Sequence, residues 1–365
     1  MMEYKVYKWS DVLTIINGRN QNAVECEDGE YPIYGSGGVM GKANDYLCPP
    51  NCTIIGRKGN INKPIYVETK FWNVDTAFGL SANEEILNPR YLYYFCVDYN
   101  FERHNKAVTI PSLTKADLLK IEMCLPPLDK QKSIVGELDK INELIRIKKE
   151  QLSDYDNLAQ SIFNKMFGDP VENEKGWEVK KLGEVCLIER GGSPRPIKDY
   201  ITEDEDGLNW IKIGDAQEGS IFINSTKEKI RKEGLKKTRM VHKGDFILSN
   251  SMSFGRPYIM GVDGCIHDGW LVLHDTNNTF NKLYLYYSLA HKSMYQQFKQ
   301  MAVGGVVNNL NSEMVRRVLV LVPPLIVQQE FANRIELIEM QKKQIISTIQ
   351  ALETLLASRM QYWFD

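Results

Sequence analysis

Two long segments of the chain carry apolar residues at alternating steps of four and three. The first runs from Ile134 to Met166, and the second runs from Phe331 to Trp363. These steps place the apolar side chains on one face of an α-helix, as the a and d positions of a coiled coil do. Each segment has some 33 residues, which predicts a helix about 50 Å long.

The two apolar faces are predicted to pair with each other, because the chain offers each helix one partner of equal length. The first helix leads from one globular segment to the next, so the second must run back antiparallel to it, with an approximate two-fold axis across the middle. Two independent helical hairpins or a dimerisation coiled coil stay open as alternatives. The predicted pairing residues are Ile134, Leu138, Ile141, Ile145, Leu152, Tyr155, Ile335, Ile338, Ile345, Ile349, Leu352 and Leu356.

The sequence also contains a repeat. Residues of the second copy have residue numbers 197 higher than their counterparts in the first copy. Leu125–Leu128 and Val322–Leu325 each hold a Pro-Pro pair, and Gln131 corresponds to Gln328. Such self-similarity indicates a duplicated structural unit. Both helices are predicted to begin after the Pro-Pro pair, and the first to end at Gly168. A looser match between the starts of the copies, at an offset of 173, assigns 24 additional residues to the front part of the second copy.

The remaining segments, 1–125 and 171–322, contain short β-type runs separated by Gly, Pro and Asn turns. A short helix is predicted in each segment, near Asn88 and near Asn281. The predicted fold class is therefore α+β. Two duplicated mixed α/β segments are joined by two long antiparallel coiled-coil helices, within 126–170 and 323–365.

Composition limits the possible functions. The formal net charge of −2, from 45 basic and 47 acidic residues, argues against a uniformly basic nucleic-acid binder but allows a local basic face. No apolar run approaches the roughly 18 residues of a membrane span, and no signal peptide is recognised. We therefore expect a cytoplasmic protein without membrane partners. The seven cysteines are scattered and are expected to be free thiols or structural residues.

Motifs for catalysis are not found. The glycine-rich segment Gly35–Ala43 imitates a phosphate-binding loop, but its spacing is wrong and Ala43 replaces the required Ser or Thr, so we interpret it as a hairpin turn. The five histidines show no metal-ligand spacing. Asp75, His267 and Asp268 fall at corresponding places in the copies and are interpreted as structural. We expect no catalytic residue and no metal site.

Local features favour nucleic-acid binding. Residues 227–243 hold eight basic and two acidic side chains, which suits contact with phosphates, although a solvated charged face explains the same charge run. Arg and Asn, which can form bidentate hydrogen bonds with base edges, lie at matching loop positions of the two copies. The candidate DNA contacts are Ser36, Arg57, Lys58, Asn60, Lys106, Thr109, Ser112, Lys236, Lys237, Arg239, Asn250, Ser251, Ser253, Arg256, Asn308 and Asn309.

The whole pattern resembles the specificity subunit of a type I restriction–modification system. The resemblance rests on the repeated Leu125–Gln131 and Val322–Gln328 motifs, on Phe163–Asp169 at the first helix end, and on Ile33–Gly38. It implies target recognition domains at 1–125 and 171–322. Each would read one half of a bipartite, asymmetric site in double-stranded DNA, while the helices set the spacer. The end of the second copy departs from the pattern at Tyr362–Asp365, which puts helix packing there in doubt.

The resemblance also implies the partners. Two methyltransferase subunits would dock on the helices, and translocase–endonuclease subunits would join them for cleavage. The chain itself would bind no cofactor, because S-adenosylmethionine, Mg²⁺ and ATP would be held by the partner subunits. Two other interpretations stay open: a self-contained DNA-modifying or DNA-cleaving enzyme, and a coiled-coil scaffold without DNA binding.

Overall fold

The computed structural model describes residues 4–105, 111–217, 219–251, 255–302 and 309–364. The chain forms two compact units. Unit 1 combines Met1–Glu150 with Ile346–Asp365, and unit 2 is Gln151–Ile345. Each unit holds part of both long helices together with one globular portion.

Unit 1 is built from short strands and short helices. The strand order β2–β8–β5–β6 forms one antiparallel sheet, β4–β3–β7 forms a second, and β1 pairs with β9. The elements are β1 (Lys5–Lys8), α1 (Trp9–Val12), β2 (Leu13–Asn17), β3 (Tyr31–Gly35), β4 (Gly38–Ala43), β5 (Cys52–Gly56), β6 (Ile65–Val67), β7 (Trp72–Asn73), β8 (Ala77–Ala82), α2 (Pro89–Asp98), α3 (Lys115–Leu118), β9 (Glu122–Leu125) and the first part of α4 (Leu128–Phe167).

Unit 2 repeats this plan with larger sheets. Their strand orders are β11–β20–β17–β18–β14 and β12–β15–β13–β19–β16, and β10 pairs with β21. The elements are β10 (Val179–Lys181), α5 (Leu182–Val185), β11 (Cys186–Arg190), β12 (Ile201–Thr202), β13 (Leu208–Ile211), β14 (Phe222–Ile223), β15 (Glu228–Ile230), β16 (Arg239–Val241), β17 (Phe246–Ser249), β18 (Pro257–Met260), β19 (Gly264–Ile266), β20 (Trp270–Asp275), α6 (Lys282–Ala290), α7 (Lys292–Ala302), α8 (Ser312–Arg316), β21 (Leu319–Leu321) and the first part of α9 (Leu325–Phe364).

The two long helices confirm the predicted starts and exceed the predicted length. Both α4 and α9 have 40 residues, so each is about 60 Å long. Each begins directly after its Pro-Pro pair, because the residue before a proline is sterically kept out of the α conformation. α4 ends before Gly168, whose φ of +78° is favourable for glycine and stops the helix.

The helices run antiparallel within each unit. In unit 1, Glu137 of α4 pairs with Arg359 of α9, and Lys149 lies 2.9 Å from Glu353. In unit 2, the Lys342 ammonium lies 2.7 Å from Asp156. Since the residue number falls along α9 as it rises along α4, the predicted antiparallel direction is confirmed.

The predicted pairing residues lie on the inward faces of the helices. The buried members of this set are Ile134, Leu138, Ile141, Ile145, Ile335, Ile338, Ile345 and Ile349. The half-buried members are Leu152, Tyr155, Leu352 and Leu356. Ile134 and Leu138 join the globular core of unit 1, and Ile335 and Ile338 join that of unit 2. The helices are therefore anchored to the globular portions as well as to each other.

The ends of the helices pack alike, although their sequences differ. Phe167, at the end of α4, has its ring centroid 4.7 Å from that of Tyr284 in unit 2. Phe364, at the end of α9, lies 5.0 Å from Tyr91 in unit 1. The departure noted at Tyr362–Asp365 thus preserves the aromatic anchor.

Backbone hydrogen bonds locate the additional residues of the second copy. Gly18 N–H donates to the carbonyl of Ala77, the first residue of β8, and Gly191 N–H donates to the carbonyl of Trp270, the first residue of β20. The residue numbers of these two glycines differ by 173. Arg57 and Asn250, equivalent by their backbone bonds, differ by 193, and Leu113 and Leu310 differ by 197. The prediction that all 24 residues lie in the front part is therefore wrong. Twenty lie there, and four lie after the short helix α6.

None of the helices in the described part of the chain is both long enough and apolar enough to cross a membrane.

Candidate nucleic-acid interface

In unit 1, three predicted contacts meet where β5 ends. Strand β5 is buried along its whole length, and the chain becomes exposed at Arg57 and Lys58. The Arg57 N–H donates to Thr76 O at 2.8 Å, and Leu113 N–H donates to Arg57 O at 2.9 Å. Lys58 forms an isolated β-bridge with Ser112. These bonds hold Arg57, Lys58 and Ser112 side by side at the surface.

Asn60 lies against the glycine-rich hairpin. The side-chain nitrogen Nδ2 of Asn60 is 3.8 Å from the position that a Cβ on Gly37 would occupy. Gly37 is in the turn between β3 and β4, next to Ser36, so the interpretation of this motif as a hairpin is confirmed. The structure thus brings Ser36, Arg57, Lys58, Asn60 and Ser112 together on unit 1. The predicted contacts Lys106 and Thr109 lie outside the described residues.

Unit 2 repeats the same backbone arrangement with different side chains. Asn250 N–H donates to Gly269 O, and Leu310 N–H donates to Asn250 O, both at 2.9 Å. Even the side chains act alike, because Arg57 Nη1 donates to Asp75 O at 3.4 Å and Asn250 Nδ2 donates to Asp268 O at 3.0 Å. Arg57 and Asn250 therefore occupy one structural position in the two units.

Asn250, one of the predicted DNA contacts, is buried. Its relative exposure is 2%, and its Oδ1 has no hydrogen-bond partner among the described residues. A shorter side chain at this position stays beneath the surface that the longer Arg57 reaches, so Asn250 supports the loop. Ser251 and Arg256 are half-buried, and Asn309 is exposed. Ser253 and Asn308 lie outside the described residues.

The basic segment 227–243 is partly neutralised by its neighbours. Lys232 lies 2.8 Å from Asp206, and the Arg239 guanidinium lies 3.0 Å from Glu189. Lys236 and Lys237 are exposed on a 3-10 helix, where Lys237 donates to the Tyr200 hydroxyl at 2.8 Å. Of the three predicted contacts in this segment, Lys236 and Lys237 are the better placed for phosphates. Arg239 is held by a carboxylate and by the Arg190 carbonyl.

Sequence reasoning missed a group of side chains around Asp268. The Asp268 carboxylate accepts a hydrogen bond from Ser193 Oγ at 3.0 Å and lies 3.6 Å from the Arg195 guanidinium. The Asp268 carbonyl accepts from Arg190 Nε at 2.9 Å. The signal in the sequence is the Gly191–Pro196 loop, where two glycines and two prolines surround one arginine.

The titratable side chains of the described residues include histidines, cysteines and carboxylates, which are the usual metal ligands. Within the described ranges, no group of three or more His, Cys, Asp or Glu side chains is placed to hold a metal ion. All seven cysteines are free thiols. Burial lowers the pKa of the His267 imidazole.

Comparison with known families decides the identity of the chain. The profile of the type I restriction modification DNA specificity domain matches twice, at residues 1–154 and 174–353. The chain belongs to this family. The two matches correspond to the two copies found in the sequence, and the chain is a specificity subunit.

Individual relatives agree with this assignment. A Haemophilus influenzae protein that carries the name of a type I restriction enzyme specificity subunit is 24% identical over 323 residues, which is 85% of this chain and 80% of that protein. The S subunit structure from M. genitalium has a TM-score of 0.62 at 14% identity and covers 99% of this chain and 96% of its own.

A further structure concerns the assembly and conformational transition of the type I system. It has a TM-score of 0.63 at 16% identity and covers 99% of this chain and 97% of its own. At these identities the two solved structures establish the fold, which is the predicted α+β duplication with long helices.

Proposed function

We propose that each unit of this specificity subunit reads one half of a bipartite, asymmetric DNA site in the major groove. The supporting observation is one backbone scaffold that presents different side chains. Arg57 and Asn250 share a position. A common scaffold would meet DNA in a common way, while different loop residues would select different bases.

The contacts divide by chemistry. Exposed lysines such as Lys58, Lys236 and Lys237 suit phosphates, which position a protein on DNA without reading the sequence. Arg57, Asn60 and Ser36 offer hydrogen-bonding groups for base edges in unit 1. In unit 2 the exposed Asn309 takes the corresponding role, and Asn250 supports it from below.

The long helices would set the spacer and receive two methyltransferase subunits. Each helix is a continuous element that contributes residues to both units, so its length would fix the number of base pairs between the half-sites. The side chains of Leu337 and Met340, one turn apart on α9, are 63% and 64% exposed. Such adjacent apolar side chains are suited to burial against a partner protein.

The chain would itself be non-catalytic. Methyl transfer would belong to the methyltransferase subunits, which would bind S-adenosylmethionine, and cleavage to translocase–endonuclease subunits that would use Mg²⁺ and ATP. This chain would supply the sequence specificity of the assembly.

The test is a methylation assay on the purified chain, alone and with methyltransferase subunits. With S-adenosylmethionine and DNA, we expect no product from the chain alone and methylation at one bipartite sequence from the complex. A product from the chain alone would support a self-contained enzyme. Absence of salt-sensitive DNA binding in the complex would support a scaffold.

A further inference from the structure

The loop that joins β19 to β20 is fixed from several sides through Asp268. Its carbonyl accepts from Arg190 Nε at 2.9 Å and from Asn250 Nδ2 at 3.0 Å. Its carboxylate accepts from Ser193 Oγ at 3.0 Å. The carboxylate is thus held in one place on the surface of unit 2, with 31% of its side chain exposed.

Three arginines surround this loop, and they are held differently. Arg190 uses Nε for the Asp268 carbonyl, and Arg239 is held by Glu189 and the Arg190 carbonyl. Arg195 instead has 81% of its side chain exposed and lies 3.6 Å from the Asp268 carboxylate through Nη2. At that distance the two groups form an ion pair without a hydrogen bond, so the guanidinium donors stay available to another acceptor.

The loop that carries Arg195 lies beside the predicted phosphate contacts. The Cβ position of Gly192 is 2.7 Å from Lys237 O, and that of Gly234, in the same 3-10 helix as Lys236, is 3.3 Å from Pro194. Pro194 is buried, which fixes the loop immediately before Arg195. The exposed Arg195 guanidinium therefore lies on a fixed loop next to the exposed Lys236 and Lys237.

From this geometry we propose that Arg195 reads a guanine in the half-site of unit 2 and that Asp268 is its positioning residue. Arginine forms two hydrogen bonds with guanine O6 and N7 in the major groove, and this pairing needs a preset guanidinium orientation. The carboxylate supplies that orientation, which explains an acidic side chain within a basic surface. The inference rests on the proposed function and adds the residues that determine one base.

The experiment uses the complex of the full chain with methyltransferase subunits. Methylation rates are measured on duplexes in which each position of the half-sites is varied in turn. We expect Arg195→Gln to reduce discrimination at one G·C pair of one half-site about tenfold, because a bidentate contact distinguishes guanine from the other bases. Asp268→Asn should reduce discrimination at the same position, and the double variant should be no worse than Arg195→Gln, since the two act through one contact.

The exposed Arg317, which follows α8, provides the matched control, and Arg317→Gln should leave discrimination unchanged. Unaltered discrimination in Arg195→Gln would overturn the proposal. So would an equal loss of affinity for all sequences with a smaller salt dependence, because that result identifies a phosphate contact. If the wild-type complex itself shows no bipartite preference, the proposed function fails. If the wild-type complex shows a bipartite preference and Arg195→Gln keeps the same discrimination, this inference fails while the proposed function stands.

Discussion

Gln131 Oε1 accepts a hydrogen bond from the Asn88 N–H at 2.8 Å, and it does so from a fully buried position at the start of α4. Gln131 Nε2 donates to the carbonyls of Ile86 and Pro126, each at 2.9 Å. Asn88 is the N-cap of α2, so one side chain fastens a globular helix to the long helix. Gln328 makes the same bond to Asn281 at 2.8 Å in unit 2, which explains the glutamine in both motifs.

Replacing either glutamine should destabilise the unit to which it belongs. Gln131→Ala and Gln328→Ala each leave a partly buried N–H, a partly buried carbonyl and a buried carbonyl without this partner, so we expect a loss of about 1–3 kcal/mol in the free energy of unfolding. Chemical denaturation of the full chain measures it. The exposed Gln341 on α9 is the control, and an equal effect of Gln341→Ala would refute the role of burial.

The contact between α4 and α9 in unit 1 should depend on pH. Hydrogen bonding to Arg359 lowers the pKa of Glu137 below its ordinary value of 4.5. Its stabilising effect should therefore be complete above about pH 4.5 and be lost as pH falls through the lowered pKa. Glu137→Gln should be less stable than wild type at pH 7, and the difference should close in acid. A difference independent of pH between 7 and 3 would contradict this.

Lys236 and Lys237 should strengthen DNA binding without selecting sequence. In the assembled complex, the double variant Lys236→Ala, Lys237→Ala should weaken cognate and unrelated DNA alike. It should also reduce the slope of log affinity against log salt by up to about two, because each phosphate contact releases counterions. Lys175 and Lys299 are exposed lysines outside this 3-10 helix, and their double replacement is the control. A change confined to the cognate sequence would show base reading instead.

The sequence predicted local features best. The signals for α4 and α9 are helical periodicity, the Pro-Pro starts and the stop at Gly168. Each depends on residues that are close together in the sequence, so both helices and their buried faces could be predicted. Each helix is longer than predicted, because polar residues at 129–133 and 328–330 separate the start of the helix from its regular apolar steps.

Features that depend on distant contacts could not be predicted. The burial of Asn250 follows from bonds to Gly269 and Leu310, and the place of Asp268 from a bond to Ser193, 75 residues earlier. A residue's matching position in two copies reveals a shared backbone but not which side chain reaches the surface. For this reason the match between Arg57 and Asn250 does not reveal that Asn250 is buried.

Shortening the paired helices should change the spacer. We expect a four-residue deletion within residues 137–147 to alter the spacer or abolish assembly. A matched deletion in the facing residues 349–359 should preserve their pairing and shorten the helices by about 6 Å, close to two base pairs. Sequencing of methylated DNA gives the spacer directly. Full activity with the original spacer would show that the helices do not set it.

Exchange of one recognition segment tests the central claim most directly. Residues 1–125 are replaced by the corresponding segment of a specificity subunit with a different target, and the methylated sequence is determined in cells with matching methyltransferase subunits. We predict that one half of the bipartite sequence changes while the other half, read by unit 2, stays the same. A change in both halves, or in neither, would contradict independent reading by the two units.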